Sequence, residues 1–388
     1  MSREVAEARQ RYQPPGPGEG LASVLPAALL ALGAGLPDDI PEPRWQLPQT
    51  RRVVVVLVDG LGSRQLERRT GHAPFLRTLG PAVPDARCGF PSTTATSLSS
   101  LGTGRGAGDH GVIGWQTGLR GGQQLLNHLS WKGGPEPTRY QPHRTLLQEA
   151  GRRDVTVTTV SRGTFDGSGF TRAALRGGGY AAAESAEERT EGVLTALGQA
   201  GRRGRALVYA YWDEVDKAGH VHGPGSLEWG EAVEAVDRFV AGVVQAAPEG
   251  TVVVVTSDHG MTEAPLSRRR DLALGDVLDE GVSLLAGEPR APQVWCVPGA
   301  AADVAATWRA ELGEDAVVLT RDEAVEAGWF GPVREGVRER LGDLVVAMLG
   351  DATVLDSRLL RPEVLRLRGH HGSITDAETA IPLLVHQG

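Results

Sequence analysis

Short runs of continuously apolar, mostly β-branched or aliphatic residues recur along the chain. They are Val53 to Val58, Val155 to Val160, Ala206 to Tyr211, Val252 to Thr256 and Ile381 to Val385. A strand covered on both faces needs no polar face, so such runs predict strands of a parallel sheet packed between helices. Helix-like segments lie between them: Ser63 to Leu79, Thr145 to Gly151, Ala182 to Gly201 and Leu227 to Ala247. This alternation predicts an α/β fold, a three-layer α/β/α sandwich with a mostly parallel central sheet. The stretch Leu21 to Leu36 is apolar but broken by Pro26 and Gly33, and it is short for a membrane span. It reads as a buried helix with Leu25, Ala28, Leu29 and Leu32 on one face.

From about Met261 to Arg368 the pattern loosens. Apolar segments Ala316 to Leu319 and Leu344 to Leu349 stand among many Gly and Pro breaks. The expectation is a smaller inserted cap, about 261–368, whose two ends return to the core. Residues 1–20 are polar and rich in Pro and Gly, and they are expected to form a flexible N-terminal arm. No internal repeat and no clean linker divides the rest, so 1–388 reads as one domain.

Composition narrows the function. Of 388 residues, 40% are hydrophobic, which is enough for one large core. Cys88 and Cys296 are far apart, so neither a disulfide framework nor a thiolate cluster is expected, and a reducing compartment is the simpler expectation. The N-terminus lacks a basic segment followed by an apolar one, so a cytoplasmic location is expected. The net charge of -8 argues against a nucleic-acid surface, and no membrane partner is expected. Nothing in the sequence sets the oligomeric state. An anionic small molecule remains compatible if bound metals reverse the field in one cleft. Basic charge is almost all arginine; Lys132 and Lys217 are the two lysines.

The polar residues of interest stand where the apolar runs end. Val53 to Val58 leads into Asp59-Gly60, Ala206 to Tyr211 into Asp213, Asp216 and His220, and Val252 to Thr256 into Ser257-Asp258-His259-Gly260. Ligands of open α/β sheets bind beyond the carboxyl ends of the strands, so three strand ends carrying Asp and His predict a metal site. Asp59 alone could be a helix cap. Asp216 and His220 share a face at i, i+4 and can chelate one ion. Gly219 makes that segment loop-like after its first turn, and His222 competes for the ligand role. Asp258-His259 after a buried strand is costly unless paired or metal-bound. His370-His371-Gly372 adds a late candidate. The segment Phe90 to Gly104 supplies hydroxyls, with Thr93 and Thr94 ahead of a helix-like run Ala95 to Leu101. A hydroxyl at a helix N-terminus faces free amides and the positive end of the dipole, where phosphate binds well. It becomes a useful nucleophile when a divalent metal makes its alkoxide accessible.

Taken together, VVVVLVDGLG, the TG and HG pairs of SLGTGRGAGDHGVIG, DEVDKAGHVHGP, VVVVTSDHGM and the late HHG resemble the alkaline phosphatase superfamily. The resemblance is to its nucleotide pyrophosphatase/phosphodiesterase (type I phosphodiesterase) branch, over about Val53 to Val385. It implies a phosphoric ester hydrolase, a phosphodiesterase or nucleotide pyrophosphatase working through a phospho-threonine intermediate. It also implies two divalent metal ions, zinc first by ligand type, with manganese and iron as alternatives. Asp216, His220 and His371 would hold one. Asp59, Asp258, His259 and the nucleophile would hold the other. His371 is chosen over His370 because it directly precedes the glycine.

Two departures stand out. The branch often has a threonine before its FP pair; here that position is Gly89. Counting nine positions back from Thr103 of the TG pair gives Thr94 instead, with Thr93 as its neighbour and alternative. The branch often has a phosphate-contacting asparagine five residues after the His of HG; here that position is Trp115. Asn127 or Lys132 could share that contact. The implied partner is a small phosphate ester or nucleotide-like molecule. Rival readings are a phosphomonoesterase or phosphonate hydrolase of the same superfamily, and a metal-binding relative without catalysis. A sulfatase would need a CxPxR setting that Cys88 lacks.

Overall fold

The structure is a computed structural model, and it describes residues 2–388. Its centre is a seven-stranded sheet in the order Gly80–Pro81, Leu383–Gln387, Thr251–Thr256, Arg52–Val58, Arg205–Trp212, Val155–Ser161 and Gly179–Ala182. The last five of these are parallel; Leu383–Gln387 and Gly80–Pro81 form an antiparallel edge. The strand Arg52–Val58 lies in the middle, and its Val53 to Val58 are all buried. Both faces of the sheet are covered. Val53, Val55 and Leu57 pack on one side with Leu25, Leu29 and Leu101. Val54, Val56 and Val58 pack on the other with Trp229, Val233 and Val240. Each buried valine contributes roughly 1.5–3 kcal/mol. That explains why these strands show no polar alternation.

Several boundaries differ from the sequence reading, each for a physical reason. The segment 63–79 is a short helix, Ser63–Arg68, followed by two single 3-10 turns. Asp237 explains the break: its carboxylate accepts the Phe75 and Leu76 N–H groups at 2.7–3.1 Å, taking them out of any helix. Ala182 closes an edge strand, Gly179–Ala182, rather than opening a helix; the helix there is Ala186–Gln199, capped by Ser185 and Glu188. The last strand is Leu383–Gln387 rather than Ile381 to Val385. The segment after Asp213 is a continuous helix, Glu214–His222, and not a loop after one turn. Gly219 fits there because a Cβ would lie 2.6 Å from the Met261 sulfur.

Residues 3–20 are packed rather than a loose arm. Arg3–Arg11 is helical, and its buried Val5 and Ala8 join Tyr12 against Trp329 and Phe330. Pro14, Pro15 and Gly20 carry the chain back to Leu21, whose N–H donates to the Arg87 carbonyl. The helix Val24–Ala31 buries Leu25, Ala28 and Leu29 completely. A second, four-stranded antiparallel sheet orders Val282–Glu288, Ala291–Cys296, Leu344–Met348 and Ala316–Thr320, with the helix Ala301–Leu312 against it. Among the described residues, no helix is long and apolar enough to cross a membrane.

One buried histidine links the fold to pH. His128 donates from Nδ1 to the Gly114 carbonyl at 2.7 Å, and its Nε2 accepts from the Tyr140 hydroxyl at 3.0 Å. Burial pushes its pKa down from 6.5 to about 4. Between those two values the unfolded chain takes up a proton that the native one refuses, so stability falls as pH drops. The thermal midpoint should decline through this window, and less steeply in His128→Gln. Parallel declines in the two proteins would remove His128 from the acid response.

Candidate metal centre

Three strand ends and two loops converge at one edge of the sheet. Asp59 follows the central strand and is held by its own N–H to the Trp212 carbonyl at 2.8 Å. Asp258 follows the neighbouring strand, and its Oδ1 accepts the N–H groups of Gly60 at 3.1 Å and His259 at 3.0 Å. Gly60 is required here: its φ is +72°, and a Cβ would stand 2.8 Å from the Asp216 Cα. Thr94 is the first residue of the fully buried helix Thr94–Thr103, so its hydroxyl sits at the positive end of the dipole. Its Oγ1 lies 3.4 and 3.5 Å from the Asp59 oxygens and 3.2 Å from His259 Nε2.

The donors fall into two groups. Asp216, His220 and His371 form one; Asp59, Asp258 and His259 form the other, each with its ligand atoms within 4.8 Å of one another. The hydrogen-bond partners of the rings show why ions fit. His220 Nδ1 faces the Gly369 carbonyl at 2.8 Å, and His371 Nδ1 faces the Ser92 carbonyl at 3.0 Å. A nitrogen facing a carbonyl must carry the proton, so each neutral ring turns a bare Nε2 inward. Those two Nε2 atoms are 3.2 Å apart. Two lone pairs at that distance repel unless a cation lies beside both. The second group repeats the pattern. His259 Nδ1 faces the Gly260 carbonyl at 3.0 Å, and its Nε2 stands 3.4 Å from both Asp59 Oδ1 and Asp258 Oδ2. Asp216 Oδ1 and Asp258 Oδ2 are buried without a hydrogen-bond partner. Orphaned carboxylate oxygens of this kind cost several kcal/mol unless a cation meets them, by roughly the scale of a desolvated charge. The donor set is N and O without thiolate, as zinc and other first-row divalent ions accept.

The electrostatics agree with this arrangement. Burial holds the Asp59 carboxyl well above the usual carboxylate range, and Asp258 and Asp216 raise it further. Burial, then His259 and His220, depresses His371 well below an ordinary imidazole. Like charges and like dipoles are crowded together, which is what resident cations would relieve.

Other candidates lie elsewhere. His370 is buried beside the group with Nε2 unpartnered, but it belongs to neither ligand cluster. His222 is exposed and pairs with Glu228 at 3.6 Å. Thr93 is the N-cap of the helix Thr94–Thr103. Trp115 faces a crevice with Leu285, Pro289 and Leu359 rather than the donors. Asn127 accepts the Ser130 N–H at 2.9 Å, and Lys132 is exposed.

A cavity of about 420 Å³ opens from the donors into the layer above the sheet. Asp59, Thr94 and Asp216 form part of its lining, and Phe165, Phe170, Tyr180, Tyr209 and Tyr211 supply aromatic walls. Tyr211 donates its hydroxyl to Asp59 Oδ2. Sequence reasoning passed over Tyr211; the signal was its place on the same strand face as Tyr209, two residues before Asp213. It also passed over Glu288, which accepts the Trp115 N–H from the second sheet. Burial pushes the Glu288 carboxyl up to about 7, tempered by that N–H and by the Thr93 hydroxyl.

Solved structures share this fold. Human ectonucleotide pyrophosphatase / phosphodiesterase 5 aligns with a TM-score of 0.67 at 16% identity, covering 86% of this chain and 87% of that one. An inactive form of the murine protein in complex with AMP gives 0.67 at 18%, covering 87% and 88%. Phosphonoacetate hydrolase from Sinorhizobium meliloti with phosphonoformate gives 0.66 at 18%, covering 87% and 90%. A short segment also resembles the catalytic subunit of human GPI ethanolamine phosphate transferase 3, 36% identical over 56 residues. That match spans 14% of this chain and only 5% of the curated relative. The type I phosphodiesterase / nucleotide pyrophosphatase family matches residues 53–374, from the first central valine to just past the HHG segment, and this chain belongs to that family.

Proposed function

We propose that the protein is a two-metal phosphoric ester hydrolase, acting as a phosphodiesterase or nucleotide pyrophosphatase with Thr94 as nucleophile. The observation that carries this reading is the inward-facing set of bare lone pairs around a helix-terminal hydroxyl. His220 and His371 Nε2 are 3.2 Å apart, and Thr94 Oγ1 is 3.2 Å from His259 Nε2. Asp216, His220 and His371 would hold one ion, and Asp59, Asp258, His259 and Thr94 the other. Zinc suits these donors best. Bound divalent ions supply positive charge that lowers the pKa of a coordinated hydroxyl and offsets charge on the departing oxygen.

The chain's own groups do the rest. The dipole of helix Thr94–Thr103 favours an anion at Thr94. Tyr211 orients Asp59. Thr94 Oγ1 would bond to phosphorus as the ester P–O bond breaks, with the alcohol leaving protonated by solvent. Water then cleaves the phospho-threonine, releasing phosphate monoester and restoring the hydroxyl. The aromatic cavity is placed to take the organic group that stays on phosphorus. Neighbours bearing AMP and phosphonoformate show that this fold admits small phosphorus ligands in those proteins.

The test couples metal analysis to a substrate panel. Purified protein should carry about two zinc ions per chain. It should hydrolyse bis-p-nitrophenyl phosphate with a higher kcat/KM than p-nitrophenyl phosphate. A preference for the monoester or for a phosphonate would move the protein to a rival hydrolase. A metal-replete sample inert toward the whole panel would make it a binding protein.

A further inference from the structure

The second sheet sends one hairpin tip into the catalytic edge. Its strands Val282–Glu288 and Ala291–Cys296 meet at Pro289-Arg290, and the two side chains flanking Pro289 are buried acid and base, Glu288 and Arg290. We infer that Glu288 is a positioning residue for the Thr94 nucleophile, acting through the loop Gly114–Trp115.

The loop's backbone groups are all assigned. The Gly114 N–H donates to the Thr96 Oγ1 at 2.8 Å, two residues into the nucleophile helix. The Gly114 carbonyl meets His128 Nδ1 at 2.7 Å, and the Trp115 carbonyl accepts the His128 N–H at 2.8 Å. The remaining group, the Trp115 N–H, donates to Glu288 Oε1. Three anchors come from the core and one from the second sheet. Glu288 therefore closes a frame whose far side is the first turn after Thr94.

The same side chain reaches the other ligand segment. Gly372 follows His371, and a Cβ there would lie 2.7 Å from the Glu288 Cβ. Gly372 also has φ +131°, so both space and backbone demand glycine beside Glu288. Its neighbour Arg290 continues the brace. Arg290 donates to Glu378 at 2.8 and 3.1 Å and to the carbonyls of Ala352 and Met348. Glu378 in turn accepts the Ser373 N–H at 3.0 Å through Oε1 and the Gly260 N–H at 2.8 Å through its carbonyl. One hairpin tip thus ties down the segments of His371, His259 and, through Trp115, Thr94.

A buried ion pair rarely repays its desolvation as stability, and breaking one destabilises strongly. Arg290 is therefore a poor test, and Glu288 a good one. This inference rests on the hydrolase reading, so the experiment reads both activity and backbone order. Glu288→Asp keeps the carboxyl group but withdraws it from the Trp115 N–H. It should lower kcat roughly 10- to 100-fold, the scale of a small misplacement of a reacting group, with KM and zinc content unchanged. Deuterium exchange at the Trp115 amide should become faster. Glu288→Gln, whose amide oxygen can accept the same N–H, should keep the parent kcat and exchange rate. Parent-like kcat and exchange in the Asp variant would overturn the inference, as would a Gln variant as slow as the Asp one, or a loss confined to KM or zinc. An inert parent would instead sink the hydrolase reading, and exchange at Trp115 would still decide the anchor.

Discussion

Thr94→Ala should lose turnover by roughly 10⁴-fold or more, the scale seen when a covalent nucleophile is deleted, while its zinc content stays near that of the parent. Of the hydroxyls in the Phe90 to Gly104 segment, Thr94 Oγ1 is the one set against donors of the second ligand group: Asp59 at 3.4 and 3.5 Å and His259 at 3.2 Å. Removing it would delete one proposed oxygen ligand but leave Asp59, Asp258 and His259, so an ion there would keep three protein donors. The fold should barely notice. Alanine is a better helix former than threonine, and Thr94 caps nothing. Thr93 is the instructive control. It sits one position ahead, at the N-cap of the helix, so Thr93→Ala should slow the reaction far less. Acid-quenched mass spectrometry of the parent turning over bis-p-nitrophenyl phosphate should show a p-nitrophenyl phosphoryl group on the peptide carrying Thr94. Full activity in Thr94→Ala, or a phosphorylated Thr93, would remove Thr94 from the mechanism.

The strands that build this site were readable for one physical reason. Arg52–Val58, Arg205–Trp212 and Thr251–Thr256 are buried on both faces, so each appears as an unbroken apolar run and its end is marked by the first carboxylate. That also made Asp59, Asp258 and His259 readable, since a charge directly after such a run demands a partner. Gly179–Ala182 escaped notice because an edge strand half open to solvent has no such run. The hairpin of the second sheet escaped because Gly287, Pro289 and Pro292 break its pattern in sequence while its backbone continues in space. Glu288 and Tyr211 were invisible for a different reason. Their meaning lies in contacts 173 and 152 residues away along the chain, and no local spacing encodes those. The resemblance to the type I phosphodiesterase branch supplied the choice of His371 over His370. The geometry places His371 Nε2 among the donors and leaves His370 outside them.

That separation sets the other large effect, loss of the metals. Chelation should abolish activity, and zinc should restore it. The thermal midpoint should fall in the stripped protein, because ions that bind only the native state stabilise it by about 4 kcal/mol when present at a thousandfold over their Kd. Without cations the Nε2 atoms of His220 and His371 face each other at 3.2 Å, and the buried oxygens of Asp216 and Asp258 lack partners. His371→Ala should therefore lower zinc by about one ion per chain, as expected when a three-ligand site loses a ligand, and with it nearly all turnover. His370→Asn should keep both ions, although the ring is just as deeply enclosed and one residue away. Counting zinc in the two variants decides the assignment. Equal zinc in His371→Ala and the parent, or an ion missing from His370→Asn, would mean that the last ligand comes from the neighbouring residue and that the cluster around Asp216 has been drawn one position wrong.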